Sequence, residues 1–179
     1  MKLSLAALLL TLATPALAEN PMVGGAPMLE SKNIIENAVN SADHTTLVAA
    51  VQAADLVDAL QGPGPFTVFA PVNAAFAALP AGTVDTLLMP ENKPMLTKIL
   101  TAHVVSGNLS GAEIMRRAKA SKDRYFHMQT LSGDALSATV RGNKLYIIDE
   151  SGNASQVTIG DVNQSNGVIH VVNKVLLPK

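Results

Sequence analysis

The amino-acid sequence predicts an α+β fold, with a helix-rich first half and an antiparallel β-meander in the second half. From residue 31 to residue 118, short apolar stretches recur at helical spacing between Gly and Pro breakers. From residue 125 onward, runs rich in β-branched and aromatic residues are separated by turn sequences. Because helices and strands are segregated along the chain, the pattern favours α+β over an alternating α/β fold.

The N-terminus is typical of a secretory signal peptide. Lys2 supplies a positive charge, residues 3–12 form an apolar run, and Ala16-Leu17-Ala18 places small residues around a cleavage point. The apolar run is short for a transmembrane helix. We therefore expect residues 1–18 to be removed, with an uncleaved anchor as the alternative.

The rest of the chain is predicted to hold a leader and one domain. Residues 19–30 contain two Gly and two Pro residues, which predicts a flexible leader, and residues 31–179 suit a single domain. The chain has no Cys, which excludes a lipid anchor at the cleavage point and any disulfide. The sequence also lacks the C-terminal apolar tail that would signal a GPI anchor. We expect a bacterial-type periplasmic or secreted protein without an integral membrane span after signal removal.

The helix-rich half is predicted to hold seven short helices. Ser31, Asp43 and Ser110 precede three of them and can cap them by accepting backbone N–H bonds. Gly and Pro residues separate the helices. The predicted helices are residues 31–39, 43–51, 54–60, 74–79, 83–88, 94–101 and 110–118.

A strand-to-helix corner interrupts these helices. Phe66 to Phe69 is an aromatic and β-branched stretch that suits a half-buried strand. Pro71 cannot donate to a β-ladder and is predicted to end the strand, and Asn73 is predicted to cap the helix that follows. We expect this corner to lie in the core.

Six further strands are predicted. Arg141-Gly142-Asn143-Lys144 has the residues of a tight hairpin turn. The predicted strands are residues 103–105, 125–130, 135–140, 144–148, 155–159 and 168–177.

Three segments of the sequence together resemble the fasciclin domain family: Phe-Thr-Val-Phe-Ala-Pro-Val-Asn-Ala-Ala-Phe at 66–76, Leu-Thr-Ala-His-Val-Val-Ser-Gly at 100–107, and Ser-Asn-Gly-Val-Ile-His-Val-Val-Asn-Lys-Val-Leu-Leu-Pro at 165–178. Their order and spacing match the family over residues 31–179. The resemblance implies a wedge of two β-sheets with a layer of short helices, an extracellular location, and adhesion or matrix binding without a reaction. It also implies a structural role for the motif residues, which are Phe66, Phe69, Pro71, Asn73, His103, Gly167 and His170.

The chain departs from the family pattern at several motif positions. Val72 stands where the family usually has Thr or Ser, Ala102 where it usually has Tyr, and Asn173 where it often has Asp. The Tyr-His pair is a proposed integrin contact in the family, and it is absent here. Asp161-Val162 resembles a second proposed contact, an Asp-Ile pair, which makes these residues binding candidates; a cap or turn role for Asp161 is the alternative.

Composition and motifs exclude several classes of function. The net charge is −1 and only 3% of residues are aromatic, so nucleic acid is not an expected partner. The four histidines form no two-His helix motif, and neither a Gly-x-Ser-x-Gly elbow nor a phosphate-binding loop is present. We therefore expect no metal, no cofactor and no catalysis. His103 and His170 lie in apolar segments, which favours core histidines over ligands.

The sharpest charge feature is a basic segment. Between residues 116 and 124 there are five basic residues and one acidic residue. They are predicted to bind anionic polysaccharide or lipid headgroups, and the alternative is a solvated helix end. The five are Arg116, Arg117, Lys119, Lys122 and Arg124.

The sequence therefore predicts a secreted binding module for cell adhesion or surface interaction. Its partner would be an extracellular protein or an anionic polysaccharide, and its oligomeric state is open. A carrier of a small apolar ligand such as a carotenoid is the alternative, with Met89, Met95 and Met115 as adaptable apolar contacts.

Overall fold

The structure is a computed structural model that describes residues 20–179. The predicted signal peptide, residues 1–18, lies outside this range. Its cleavage therefore stays a prediction.

Short helices fill the first half of the described chain, as the sequence predicts. Two single turns of 3₁₀-helix, Ala42–His44 and Pro90–Asn92, precede two of the α-helices. The α-helices are α1 (Ile34–Ala38), α2 (Thr45–Ala53), α3 (Val57–Gln61), α4 (Asn73–Ala77), α5 (Thr83–Leu87), α6 (Lys93–Thr101) and α7 (Gly111–Ala120).

Two strands form a small N-terminal hairpin, and seven others form one sheet in the order β4-β3-β9-β8-β7-β6-β5. Strands β3 and β9 pair in parallel, and the other neighbours pair antiparallel. The strands are β1 (Met22–Val23), β2 (Ala26–Pro27), β3 (Phe66–Pro71), β4 (Val104–Ser106), β5 (Phe126–Gln129), β6 (Ala135–Arg141), β7 (Lys144–Ile148), β8 (Ala154–Gln164) and β9 (Gly167–Val172).

The long strand β8 folds the sheet into two halves. Its first residues pair with β7, and the rest pairs with β9 through two register shifts. The outer strands β4 and β5 then approach each other through a bridge between Val105 and Thr130, and Leu131 N–H donates to the Val104 carbonyl at 2.8 Å. The two register shifts in β8 are irregularities of the β-bulge type, which bend a strand and increase its twist. The predicted α+β class is confirmed, and the two sheet halves with their helical layer match the expected wedge.

Successive side chains of β3 point to opposite faces of the sheet, and this divides the core in two. Val68 and Ala70 pack against the helices, in a helix-side core that also contains Ile169 and Val171 of β9. Phe69 packs on the opposite face, in an inter-sheet core that also contains Val172. Because β3 and β9 are covered on both faces, their residues are almost all buried, and the pair forms the centre of the fold.

The N-terminal segment differs from the predicted flexible leader. Strands β1 and β2 form a hairpin, and Val23 and Met28 are only 3% and 2% exposed in the helix-side core. Gly24 has φ +58°, and a Cβ there would lie 2.4 Å from Ser41 Oγ. The Gly and Pro residues of this segment therefore make a tight turn against the domain, so the leader prediction is wrong for residues 20–30.

Helix caps also differ from the prediction. Asn33, not Ser31, caps α1, in a capping box with Glu36, and Asp43 lies in the 3₁₀ turn before α2. Ser110 caps α7 as predicted, its Oγ accepting from the Glu113 N–H.

Asn73 is a connector between helices and does not cap its own helix. It is the first residue of α4, and its Oδ1 accepts from the Thr46 N–H at 3.0 Å while its Nδ2 donates to the Ala42 carbonyl at 2.9 Å. Thr46 lies in the first turn of α2, so Asn73 satisfies a free donor of a different helix. The prediction that Asn73 caps the helix that follows it is therefore wrong, because its acceptor serves a backbone N–H 27 residues away.

Candidate functional site

Helix α7 carries the first part of the predicted basic segment. Its first turn is held by two hydrogen bonds. Its N-cap Ser110 accepts from the Glu113 N–H at 3.2 Å, and Asp161 Oδ1 accepts from the Gly111 N–H at 2.7 Å. Ile114 and Ala118 are buried, and Ile114 belongs to the inter-sheet core. The opposite face of the helix, with its charged residues, is therefore presented to solvent.

The first two basic residues of the segment are paired within the helix. Arg116 binds Glu113 through two nitrogens at 2.7 and 2.8 Å, and Arg117 Nε lies 2.6 Å from the same carboxylate. The hydrogen bonds from Arg116 and Arg117 lower the pKa of the Glu113 carboxyl. The Arg117 guanidinium also lies 5.0 Å from the centre of the Phe126 ring. These two arginines are consequently less available to an external anion than the sequence alone indicated.

The remaining basic residues meet a second basic element. Lys119 and Arg124 line a surface depression whose opposite wall contains Gly142 of the β6–β7 turn. That turn also carries Arg141 and Lys144, which pair across the hairpin. We call this area the basic surface; it consists of Lys119, Lys122, Arg124, Arg141 and Lys144.

The basic surface has no internal neutralisation within the described chain. All five of its side chains are exposed, and none forms an ion pair with an acidic residue among residues 20–179. The Arg124 carbonyl accepts from Thr139 Oγ1 at 3.0 Å, which ties the segment after α7 to β6. Sequence reasoning missed Arg141 and Lys144, since the hairpin was predicted but its position beside α7 was not.

Asp161 and Val162 have structural roles. Asp161 lies in the irregular part of β8 with φ +56°, caps α7 through Gly111, and donates its own N–H to His170 Nδ1 at 3.2 Å. Val162 is fully buried in the helix-side core. A buried side chain offers no surface to a partner, so the prediction of Val162 as a binding residue is wrong, and Asp161 fits the alternative reading as a cap.

The two motif histidines are fully partnered in the core. His103 Nδ1 donates to the Ile99 carbonyl at 2.8 Å and Nε2 accepts from the Leu176 N–H at 2.9 Å. His170 Nε2 donates to the Leu109 carbonyl at 2.8 Å. Burial lowers the pKa of His103 to about 4 and also lowers the pKa of His170. Both imidazoles are therefore neutral connectors between elements.

The other motif residues hold the central strand pair together. Phe66 lies opposite Gly167 and Pro71 opposite Val172 in the parallel pairing of β3 with β9. A Cβ on Gly167 would lie 2.0 Å from the Phe66 carbonyl oxygen, so only glycine fits. Phe69 is fully buried, with its ring 5.7 Å from that of His170. Phe69, Pro71 and Gly167 are buried and offer no surface to a ligand, whereas Phe66 is half-buried.

Metal binding and membrane insertion are the next properties to consider for residues 20–179. Within residues 20–179 no group of three or more His, Asp or Glu side chains is arranged to hold a metal ion. No helix of that part of the chain is long and apolar enough to cross a bilayer.

Met89 and Met95 are exposed, and Met115 lies at the edge of the inter-sheet core. The three methionines therefore form no common apolar site.

Comparisons with known proteins cover most of the folded chain. The fasciclin domain model matches residues 42–178. Protein sll1483 from Synechocystis sp. is 47% identical over 160 residues, which cover 89% of this chain and 81% of that protein. Immunogenic protein MPB70 from Mycobacterium bovis is 39% identical over 146 residues, which cover 79% of this chain and 66% of that protein.

A solved structure supports the same fold. The FAS1 domain pair of the insect cell adhesion molecule fasciclin I matches with a TM-score of 0.72 at 18% identity, covering 82% of this chain and 51% of that chain. This chain thus spans about half the length of that pair. The motif segments, the wedge of two sheet halves and the family match agree with one another, and this chain belongs to the fasciclin domain family.

Proposed function

We propose that this protein is a secreted, non-catalytic adhesion module that binds an anionic polysaccharide through its basic surface. The observation that carries the proposal is the meeting of two separate basic elements. Lys119, Lys122 and Arg124 come from the end of α7 and the segment after it, and Arg141 and Lys144 come from the β6–β7 hairpin.

A solvated helix end explains only part of this surface. Basic side chains at a helix C-terminus interact favourably with the helix dipole, which accounts for residues such as Lys119. Arg141 and Lys144 lie on a hairpin and gain nothing from that dipole. Because the whole chain has a net charge of −1, a cluster of five cations beside one acid, Asp123, is a specific feature and not a general one.

Exposed ion pairs suit a polymeric ligand that makes many weak contacts. Individual exposed ion pairs contribute little, about 0–1 kcal/mol each, and salt screens them. A polymer that presents many anionic groups can occupy several such cations at once, and multiple copies at a surface add avidity. Family membership supports a role in adhesion, and the predicted signal peptide supports secretion.

Heparin-column chromatography of two variants with equal charge tests the proposal. One variant replaces all five residues of the basic surface with Ala. The control replaces five lysines elsewhere with Ala, namely Lys32, Lys93, Lys98, Lys174 and Lys179. We expect the first variant to elute at clearly lower salt than the wild type and the control to elute near the wild type.

Equal loss in the two variants would show that retention follows net charge, and the proposal would then fail. The same variants, applied to alginate beads and to anionic vesicles, separate a polysaccharide ligand from lipid headgroups. Retention on vesicles alone would count against a polysaccharide partner.

A further inference from the structure

The sheet half formed by β5, β6, β7 and the start of β8 has one face in the core and one face outside it. Its inward side chains, such as Met128, Ala138 and Ile147, belong to the inter-sheet core. Successive side chains of a strand point to opposite faces, so the residues between these point away from that core. Nearly all of them are exposed or half-buried. We call this surface the outer face; it carries Tyr125, His127, Thr139, Arg141, Lys144 and Tyr146.

Both tyrosines of the chain lie on the outer face, with Thr139 between them. Tyr146 of β7 lies opposite Thr139 of β6. On its other side, the Thr139 hydroxyl donates to the Arg124 carbonyl at 3.0 Å, and Tyr125 is the next residue along the chain. Neighbouring strands are about 4.8 Å apart, so the backbones of the two tyrosines, two strands apart, lie about 10 Å from each other. The two rings are thus separate positions on one surface.

A neighbouring side chain holds each tyrosine ring in place. The Tyr125 ring lies 6.3 Å from the His127 ring, with an angle of 24° between their planes. His127 is itself fixed by Asp123, whose Oδ2 lies 3.0 Å from its Nε2. The Arg141 guanidinium lies 5.2 Å from the centre of the Tyr146 ring. Rings that are oriented before binding lose little conformational entropy when a ligand arrives.

Two half-buried tyrosine rings on one open surface suit the sugar rings of a polysaccharide. The face of an aromatic ring carries partial negative charge, whereas the C–H groups on one side of a sugar ring carry partial positive charge, so the two stack. A linear polysaccharide repeats these stacking faces along its length and can place two of its units on the two rings at once. His127, Thr139 and Arg141 lie beside the rings and have hydrogen-bonding groups that suit sugar hydroxyls.

The cations at one end of the outer face favour a polymer of acidic sugars. Arg141 and Lys144 pair across the β6–β7 turn and also belong to the basic surface. They attract any polyanion, because electrostatic attraction does not depend on which molecule carries the negative charge. The tyrosines add no charge, so they can distinguish an acidic polysaccharide from other polyanions.

We propose that the outer face is where the protein recognises sugar rings. Units of an anionic polysaccharide stack on Tyr125 and Tyr146, while the acidic groups of the polymer reach Arg141 and Lys144. This inference rests on the proposed polysaccharide binding and adds the selectivity that a basic surface alone does not have.

Calorimetric titration with two ligands of equal charge, an alginate hexamer and a linear polyphosphate, tests this selectivity. The double variant Tyr125→Ala/Tyr146→Ala leaves the charge of the protein unchanged. We expect it to bind the alginate hexamer about tenfold more weakly than the wild type and to bind polyphosphate equally well. The matched control, Tyr125→Phe/Tyr146→Phe, keeps both rings and should retain most of the affinity for alginate.

Unchanged binding of alginate by the double Ala variant would overturn the inference, and so would an equal loss for the two ligands. Far-UV circular dichroism checks folding, and Tyr125→Leu/Tyr146→Leu, which keeps apolar volume but has no ring, replaces the Ala variant if that variant does not fold. A thymidine hexanucleotide is a third ligand. Tyrosine-dependent binding that is stronger for it than for alginate would assign the outer face to single-stranded nucleic acid and also overturn the inference.

NMR spectroscopy locates the ligand directly, since the chain has only two tyrosines and the ring signals of each can be followed. We expect nuclear Overhauser effects between both tyrosine rings and the C–H protons of the alginate hexamer. Their absence while alginate is bound would show that the sugars do not stack on these rings.

The variant with all five residues of the basic surface replaced by Ala separates this inference from the proposed function. It should lose affinity for alginate and for polyphosphate alike. If it binds alginate as well as the wild type does, the proposed function of the basic surface fails. If it loses alginate binding but the double Ala variant of the tyrosines does not, the proposed function stands and the inference about the outer face fails.

Discussion

The centre of the sheet and the helical layer each bury histidine, and they use it differently. At the centre, His103 joins the end of α6 to the C-terminal segment, and His170 joins β9 to the loop before α7. Every ring nitrogen there has a partner. In the helical layer, His44 is equally buried, and its best-formed hydrogen bond is the one to Ser41 at 2.9 Å, with a weaker approach to the Ala70 backbone. The same residue type at the same depth is a complete connector in one region and an incomplete one in the other.

This difference separates histidines that join distant segments from a histidine whose best hydrogen bond is local. His103 and His170 each have one partner that is distant in sequence, Leu176 and Leu109 respectively, so each imidazole fixes the position of one element against another. The partner of His44 is three residues away, so this contact fixes only a local turn. An apolar cavity of about 70 Å³, with His44 in its wall, also lies in the helical layer, so this layer is less completely packed than the centre of the sheet.

Acid should affect the partnered histidines most, and this is the largest effect we expect. The unfolded chain protonates these rings near pH 6.5, whereas burial holds the pKa of His103 in the folded chain to about 4. The unfolded state therefore binds more protons between these values, so stability is highest above about pH 6.5 and falls as the pH is lowered toward 4. The His103 contribution alone corresponds to a loss of about 3 kcal/mol, and His170 and His44 act in the same direction.

Urea unfolding at half-unit steps from pH 7.5 to pH 4 measures this loss. The variant His103→Leu serves as the control. It should be less stable at pH 7.5, because the Leu176 N–H loses its acceptor, but its stability should fall less steeply with acid. A wild-type stability that stays flat between pH 6.5 and pH 4 would contradict the neutral, buried assignment.

Asn73→Ala should give an intermediate effect within the helical layer. The substitution removes the acceptor for the Thr46 N–H and the donor to the Ala42 carbonyl, and a lost cap costs about 0.5–2 kcal/mol. Asn73→Asp keeps the acceptor and loses only the donor, so it should be less harmful. Thermal and urea unfolding, with the exposed Asn108→Ala as the matched control, measure both. Unchanged stability of Asn73→Ala would show that this part of the layer is as loosely held as the turn around His44.

Local features of this fold could be predicted from the sequence more readily than its long-range contacts. The limits of β7 match the prediction at both ends, because a β-branched run between two turn sequences is a local signal. The parallel pairing of β3 with β9, the Asn73 contact with α2 and the approach of the β6–β7 hairpin to α7 all join distant segments. Periodicity states which face of an element is apolar, but it does not state which other segment covers that face.

The candidate sites show the same limit. Five basic residues close together in sequence could be found directly, but Glu113, which pairs with two of them, lies just outside the counted segment. Arg141 and Lys144 join the basic surface only because the hairpin packs beside α7. The cavity of the helical layer depends on how three helices pack on the sheet, and no local pattern reports it.

His44→Phe should have the smallest effect on stability, and it completes the comparison with His103. The phenyl ring keeps the shape of the imidazole and removes the cost of burying a polar ring, which favours the variant, while Ser41 and the Ala70 backbone lose a partner, which opposes it. We expect the two effects nearly to cancel, with a change in unfolding free energy within about 1 kcal/mol at pH 7.5. A loss as large as that of His103→Leu, measured by urea unfolding, would mean that His44 is a structural connector as well. In that case the distinction between the two regions would disappear.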